Sequence, residues 1–336
     1  MRKFLLSIFY IFVNVASIGF VKTLRFNLLL FILSSATFSY AQQDAEYSMY
    51  RFNGLYINPA YAGSHEVLNT MVIYRAQWVK MPGMPQSGSF AIHSPLKNEK
   101  IGLGMIYSYD RIGVTQTHSV NADFAYRIPI GKKKKVRLCI GISAGVTNYS
   151  SNLNDVATTD ANDPNFTGNV NRWLPNVGFG IYAYNEKFFV GVSVPHILAN
   201  KLNGSNSVFS MSTTVARQYY HLLFTGGYVF SIGKKVKFVP SVLMKYVPVH
   251  APITFDFNVA FIFVDRIWLG AGYRLNDSYG FMLAANVTKQ LRIGYCYDLT
   301  VSTLNKYTSG SHEIMASFDF DFSKGKIVSP RQVKYF

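Results

Sequence analysis

The side chains of this chain with chemistry to offer are seven histidines, two cysteines and a sparse set of acids. Their spacing argues against a reaction centre. His65, His93, His118, His196, His221, His250 and His312 are scattered, and no HExxH pair, nucleophile elbow or Cys/His ligand spacing occurs among them. The only suggestive neighbours are His312 and Glu313, where a hydrogen bond at a strand start is a simpler expectation than catalysis. Asp160-Ala161-Asn162-Asp163-Pro164-Asn165 loosely resembles a calcium loop, but Pro164 replaces a ligand position and no closing Glu follows. Cys139 and Cys296 are expected as two free thiols on non-neighbouring strands. The sequence therefore predicts no catalytic residue, no metal site and no cofactor.

The charges worth locating are Lys245, Asp256, Arg274, Asp298 and Glu313. Alternation puts all five on one face, near one set of strand ends. Left unpaired in a semi-dry interior each would be costly, whereas a satisfied network would lock strand register. A structural network is the first expectation and direct contact with another segment or a partner the second.

The elements that must position them are strands. Ile101, Leu103, Met105, Tyr107 and Tyr109 face one way while Gly102, Gly104 and Ser108 face the other, and the same period of two recurs at Val120 to Tyr126, Phe188 to Val194, Ile253 to Phe263 and Ile314 to Phe320. Between the apolar positions sit Asn, Asp, Ser, Gly and Arg, which a watery or plugged lumen can solvate and a sandwich core cannot. Phe and Tyr together number 27 + 23 = 50 of 336 residues, and charged residues only 15%. Beyond residue 41 no apolar run approaches the roughly 20 residues of a spanning helix, so any membrane crossing there must use strands.

The pattern predicts an all-β, transmembrane, up-and-down antiparallel barrel of about 14 strands over 66-322, at 66-79, 86-94, 100-110, 115-128, 135-147, 173-184, 187-195, 215-231, 235-247, 252-264, 266-275, 278-287, 289-300 and 312-322. Tight turns at Asn185-Glu186, Val264-Asp265-Arg266 and Thr288-Lys289-Gln290 alternate with long connections near 148-172, 195-214 and 301-311. That rhythm reads as strict, with turns on one rim and loops on the other. An even strand count returns both ends of the barrel to one side.

Before the barrel, residues 1-41 read as a signal region. Phe4 to Val21 and Phe26 to Leu33 are apolar runs separated by Lys22 and Arg25, and Ser39-Tyr40-Ala41 is a small-x-small exit, which places the mature start near Gln42. The second run is a complete signal by itself, so translation from Val21 is expected, with one long signal as the alternative. Four basic residues and no acids lie in 1-41, so the charge falls from +16 to 16 − 4 = +12. Residues 42-65 are too polar and too punctuated by Gly and Pro to span, yet carry Tyr47, Tyr50, Phe52, Tyr56 and Tyr61. Aromatics at that density want cover, which a hatch folded into the barrel would provide.

With the N-terminus periplasmic after cleavage, both termini fall on the periplasmic side, 323-336 becomes a periplasmic tail, and the tight turns form the periplasmic rim. Lys97, Lys100, Lys132, Lys133, Lys134, Lys135, Lys187, Lys234, Lys235, Arg266, Lys289, Lys324, Lys326, Arg331 and Lys334 then form a one-sided basic collar. A collar can anchor at the lipid interface or dock an acidic partner. Nucleic acid is not an expected partner, since the basic residues follow no helix or groove.

Phe52-Asn53-Gly54-Leu55-Tyr56-Ile57-Asn58-Pro59-Ala60-Tyr61-Ala62-Gly63 resembles the N-terminal signature of the PorP/SprF family of type IX secretion system membrane proteins, with Asn58, Pro59, Ala60, Tyr61 and Gly63 at its centre. Gly191 to His196, Lys245-Tyr246, Gly272-Tyr273-Arg274, Gly294 to Asp298 and Gly310 to Ile314 follow in family order, with Cys296 where the family more often has a small residue such as Ser. The resemblance implies an outer-membrane barrel of Bacteroidetes, set in outer-membrane lipid, that supports secretion or surface attachment of particular cargo proteins such as gliding adhesins and is linked to periplasmic components of that machine. It names no cargo. The alternative is a FadL-like transporter of hydrophobic small molecules, whose hatch also carries an Asn-Pro-Ala turn. A narrow lumen with a hatch suits an adaptor better than a pore for folded protein.

Overall fold

The computed structural model describes residues 45–97, 99–131, 136–155, 169–198, 220–247 and 253–320. The signal region, Lys132 to Lys135, the calcium-like loop and the C-terminal tail lie outside them.

The strands are β1 (Leu68–Ala76), β2 (Gln86–Pro95), β3 (Ile101–Ile112), β4 (Thr115–Ile130), β5 (Val136–Ser151), β6 (Val170–Tyr184), β7 (Phe188–Val194), β8 (Leu222–Tyr228), β9 (Phe230–Ile232), β10 (Val236–Tyr246), β11 (Thr254–Phe263), β12 (Ile267–Arg274), β13 (Ser278–Asn286), β14 (Leu291–Thr300) and β15 (Ser311–Phe320). Apart from β8 and β9, which do not pair with each other, each strand pairs antiparallel with its sequence neighbours, and β1 pairs with β15, from Leu68 opposite Phe320 to Ala76 opposite His312. β8 and β9 are separated only by Val229 and both pair with β10, so they make one interrupted stave. The fifteen segments thus close a barrel of fourteen strands, as the alternation predicted.

Closure leaves no edge, which a sheet in hydrocarbon requires. The two faces divide as lipid demands. On β4, Val120, Phe124 and Tyr126 are exposed while Ser119, Asn121, Asp123 and Arg127 are buried. Phe257, Phe261, Leu269, Phe281 and Leu283 continue the outward apolar band, which would be a liability in water and is favourable against lipid tails.

The rims differ less strictly than the sequence suggested. On the turn rim, Asn185 Oδ1 accepts from the Lys187 and Phe188 amides (2.7 and 2.8 Å), Thr288 Oγ1 accepts from the Gln290 and Leu291 amides (3.1 and 2.9 Å), and Val264 and Asp265 take positive φ (51° and 55°). The opposite rim, here the loop rim, carries the long connections but also two tight ones, after Ile112 and after Arg274, closed through positive φ at Gly113 (58°) and Asn276 (60°). Two hairpins on that rim are therefore as short as any on the other.

Candidate functional site

The candidate site is the interior, where residues 45–65 lie buried against the inward faces of the strands. Residues 45–65 form three single turns, Tyr50–Phe52, Gly54–Ile57 and Pro59–Tyr61, with Met49, Tyr50, Phe52, Leu55, Ile57, Ala60, Tyr61 and Ala62 buried. The turns are too short to hold themselves. Polar contacts to the wall do so. Asn53 Nδ2 donates to Ser89 Oγ on β2 (2.8 Å), Ser193 Oγ on β7 donates to the Ile57 carbonyl (2.6 Å), and the Gly63 amide donates to His93 Nδ1 on β2 (3.2 Å). Phe52 meets Trp268 edge-on (6.4 Å), and the Arg292 guanidinium stands over both rings, 5.3 Å and 4.3 Å from their centroids.

Asn58, Pro59, Ala60, Tyr61 and Gly63 pack as one unit. Asn58 Oδ1 accepts from the Ala60 amide (2.9 Å), and its Nδ2 donates to the Ile181 carbonyl on β6 (3.0 Å) and to that of Val192 on β7 (3.4 Å). Pro59 opens the following turn, where its missing N–H costs nothing. Inward glycines of the wall make the seat: a Cβ at Gly141 would lie 2.2 Å from the Ala60 nitrogen, and one at Gly102 would lie 2.1 Å from the Ala62 carbonyl oxygen. Backbone meets backbone there, so only glycine fits. Tyr61 Oη and His65 Nε2 are 3.1 Å apart, and His65 Nδ1 is 3.1 Å from Asp319 Oδ1 on β15.

At the other end of the segment the five predicted charges come together with three partners that the sequence reading missed. Arg75 on β1, its side chain 1% exposed, bonds Asp298 on β14 (2.5 Å) and Glu313 on β15 (3.0 Å). Arg274 on β12 meets Asp256 on β11 (2.9 Å), and both Arg274 (3.3 Å) and Lys245 on β10 (2.5 Å) meet Glu46. Ser48 ties the two halves: its Oγ donates to Asp298 (2.6 Å), and the Ser48 and Met49 amides donate to the two oxygens of Glu313 (2.8 and 2.7 Å). Arg75, Glu46 and Ser48 were the missed members. Arg75 has the inward parity of Met71 and Ile73 and was legible on that ground; Glu46 and Ser48 lie outside any strand and carry no such signal.

Burial alone would raise the Glu46 carboxyl, but Lys245 and Arg274 outweigh it and hold the group at about 2. Arg51, buried against the Val239 carbonyl (3.4 Å), is pushed down to about 10 by burial. His312 and Glu313 point to opposite faces: Glu313 is buried inside, while His312 Nδ1 pairs outside with Tyr295 Oη (2.7 Å). Cys139 and Cys296 are free and buried. Of the basic collar, Lys97, Lys100, Lys187, Lys234, Lys235, Arg266 and Lys289 are exposed on the turn rim, but Lys80, Arg111, Arg172 and Lys306 stand on the loop rim, so the asymmetry is partial.

No curated protein matches the chain. Among solved structures it is similar to Acinetobacter baumannii Omp33 (11% identity, TM-score 0.41, 76% of this chain and 100% of that one), a Pseudomonas aeruginosa FadL homologue (12%, 0.44, 79% and 93%) and the CymD monoaromatic hydrocarbon channel (11%, 0.49, 80% and 92%). The family model described as "Type IX secretion system membrane protein PorP/SprF" matches residues 39–318, which include the whole inner segment and all but the end of the last strand. On that match this outer-membrane β-barrel belongs to the PorP/SprF family of type IX secretion system membrane proteins.

Proposed function

We propose that the barrel is a non-enzymatic adaptor of the type IX secretion system, supporting secretion or surface attachment of specific cargo, adhesins among them, by protein contacts rather than by passing cargo through its lumen. The observation that carries this reading is the filled interior: residues 45–65 touch β1, β2, β6, β7, β10, β14 and β15 from within, the arrangement of a hatch. A folded cargo would have to expel that segment and break its buried ion pairs. The space left beside it amounts to about 90 Å³, which leaves no through-passage for a folded chain.

In the proposed orientation the turn rim faces the periplasm, where the strand ends Leu68 and Phe320 meet, and the loop rim faces outward toward cargo. Exposed Lys234 and Lys235 offer an acidic periplasmic component of the machine a docking surface, to which the run Lys132 to Lys135 would add charge. Outer-membrane lipid covers the apolar band. Replacing Lys234 and Lys235 by Glu tests the reading: the barrel should still show its heat-dependent gel shift, while co-purification of periplasmic secretion components and surface display of cargo both fall. Unchanged capture and display would reject the adaptor role of this rim.

A further inference from the structure

Beside the inner segment the lumen keeps a cavity of about 90 Å³, whose lining reaches the loop-rim ends of β3 and β4 at Asp110 and Thr117. Farther in, its walls are the hydroxyls of Ser119, Ser143 and Thr147, the amide of Asn121 and, from the segment, the ring of Tyr56. Asp123 on β4 is the deepest lining residue along that strand.

Among the described residues five acids of the wall are buried, and four have a cation or an imidazole against them: Asp298 and Glu313 share Arg75, Asp256 has Arg274, and Asp319 has His65. Asp123 is the fifth, 5% exposed, with the Ser143 hydroxyl beside it and its Oδ2 without a hydrogen-bond partner among the described residues. A buried carboxyl with an orphan oxygen is a group for which native structures normally supply a donor. A charged donor satisfies it best, since charge-assisted hydrogen bonds are the strong ones.

We infer that this cavity binds a primary ammonium group on a slender aliphatic chain, one N–H donating to Asp123 Oδ2 and the others to the surrounding hydroxyls. Three donors on a compact centre match one carboxylate among hydroxyls. A guanidinium is a wide planar fork that wants two coplanar acceptors, and a divalent cation wants several anionic oxygens together, whereas the other lining carboxylate, Asp110, lies at the mouth and accepts from Ser87 Oγ (2.6 Å). The volume would hold roughly half a dozen waters, enough for the ammonium head and a few methylenes. The ammonium comes either from a free amine or from a lysine side chain of a polypeptide entering from the loop rim. The inference does not rest on the adaptor reading, since the cavity would take a free amine whatever the barrel's partners.

The test is calorimetric titration of the full-length protein in detergent with butylammonium chloride, with acetyl-Gly-Lys-Gly-amide, and with 1-butanol and the Gln counterpart of the peptide as uncharged controls. Saturable butylammonium binding at least tenfold tighter than butanol binding is expected, with at least a tenfold loss in Asp123→Asn while the heat-dependent gel shift is kept. Binding of the Lys peptide above its Gln control, with the same dependence on Asp123, identifies a polypeptide lysine as the source; binding of butylammonium alone identifies a free amine. Butanol binding as tightly as butylammonium, no saturable binding of either cation, or a folded Asp123→Asn that binds unchanged overturns the inference. The amine–alcohol comparison uses the unaltered protein and decides the matter even where the variant misfolds.

Discussion

Arg75→Gln is the sharpest perturbation of the interior, because one guanidinium serves two buried acids and a residue of the inner segment. Its Nη1 reaches Asp298 (2.5 Å), Glu313 (3.0 Å) and Ser48 Oγ (3.0 Å), with the three charged side chains at most 2% exposed. Removing one partner of a buried pair costs about 3–5 kcal/mol because the other charge stays buried. Here two carboxylates are stranded, but the field of Arg274 also reaches Asp298, and Glu313 keeps the Ser48 and Met49 amides. The lower end, about 3 kcal/mol, is the estimate, or roughly two decades in the folded-to-unfolded ratio. Urea unfolding of the refolded protein in vesicles, followed by tryptophan fluorescence and gel shift, reads that loss directly. Trypsin reads its location: Arg51 is buried in the intact interior and becomes a cleavage site once the segment loosens. Adding Glu313→Gln to Arg75→Gln should recover part of the loss, since it removes one stranded charge. An unchanged unfolding midpoint together with a trypsin-resistant Arg51 would refute the argument that this cluster holds the segment.

Gly141→Val should expel the segment or block closure, since its Cβ alone would sit 2.2 Å from the Ala60 nitrogen; Gly226→Ala, whose nearest neighbour would be the Phe189 carbonyl oxygen at 3.7 Å, is the tolerated control, and protease protection of residues 45–65 compares them. Acidification should loosen the same segment through Glu46. Its carboxyl is lowered from 4.5 to about 2, so its contribution, about 3 kcal/mol, is complete above 4.5 and is lost as pH falls toward 2. Unfolding midpoints at pH 6 and pH 3 should therefore differ by less in Glu46→Gln than in the unaltered protein, and an equal difference would remove Glu46 from the account.

Strand positions were legible because lipid outside and polar groups inside impose a period of two on every stave. Val120 to Tyr126 could be read only one way. The interruption at Val229 was not legible, since a single skipped residue between β8 and β9 leaves no compositional mark. Alternation also placed Lys245, Asp256, Arg274, Asp298 and Glu313 on one face, but not in pairs: register across neighbouring strands decides that Asp256 stands opposite Arg274. Glu46 and Ser48 belong to a segment without a repeat, and apart from Arg75 their charged partners lie about 200 residues or more away in sequence. The inward glycine at 102 read only as one of the small residues on the face opposite Ile101 and Leu103, and the one at 141 drew no reading. Their reason is visible only once the Ala60 and Ala62 backbones are seen against them.

The seam between β1 and β15 joins the first strand made to the last. Both ends of the inner segment are fastened at that seam: Ser48 and Met49 to Glu313 and, through Arg75, to β1; His65 to Asp319. Closing the ring and seating the segment therefore draw on the same side chains. Glu313 and Asp319 belong to the last strand, so those fastenings of residues 45–65 exist only once β15 is in place. The segment thus reinforces from within a seam whose register the Asn69 side-chain amide also marks from the wall, donating across it to Ser317 Oγ (2.9 Å) and Asp319 Oδ1 (2.6 Å).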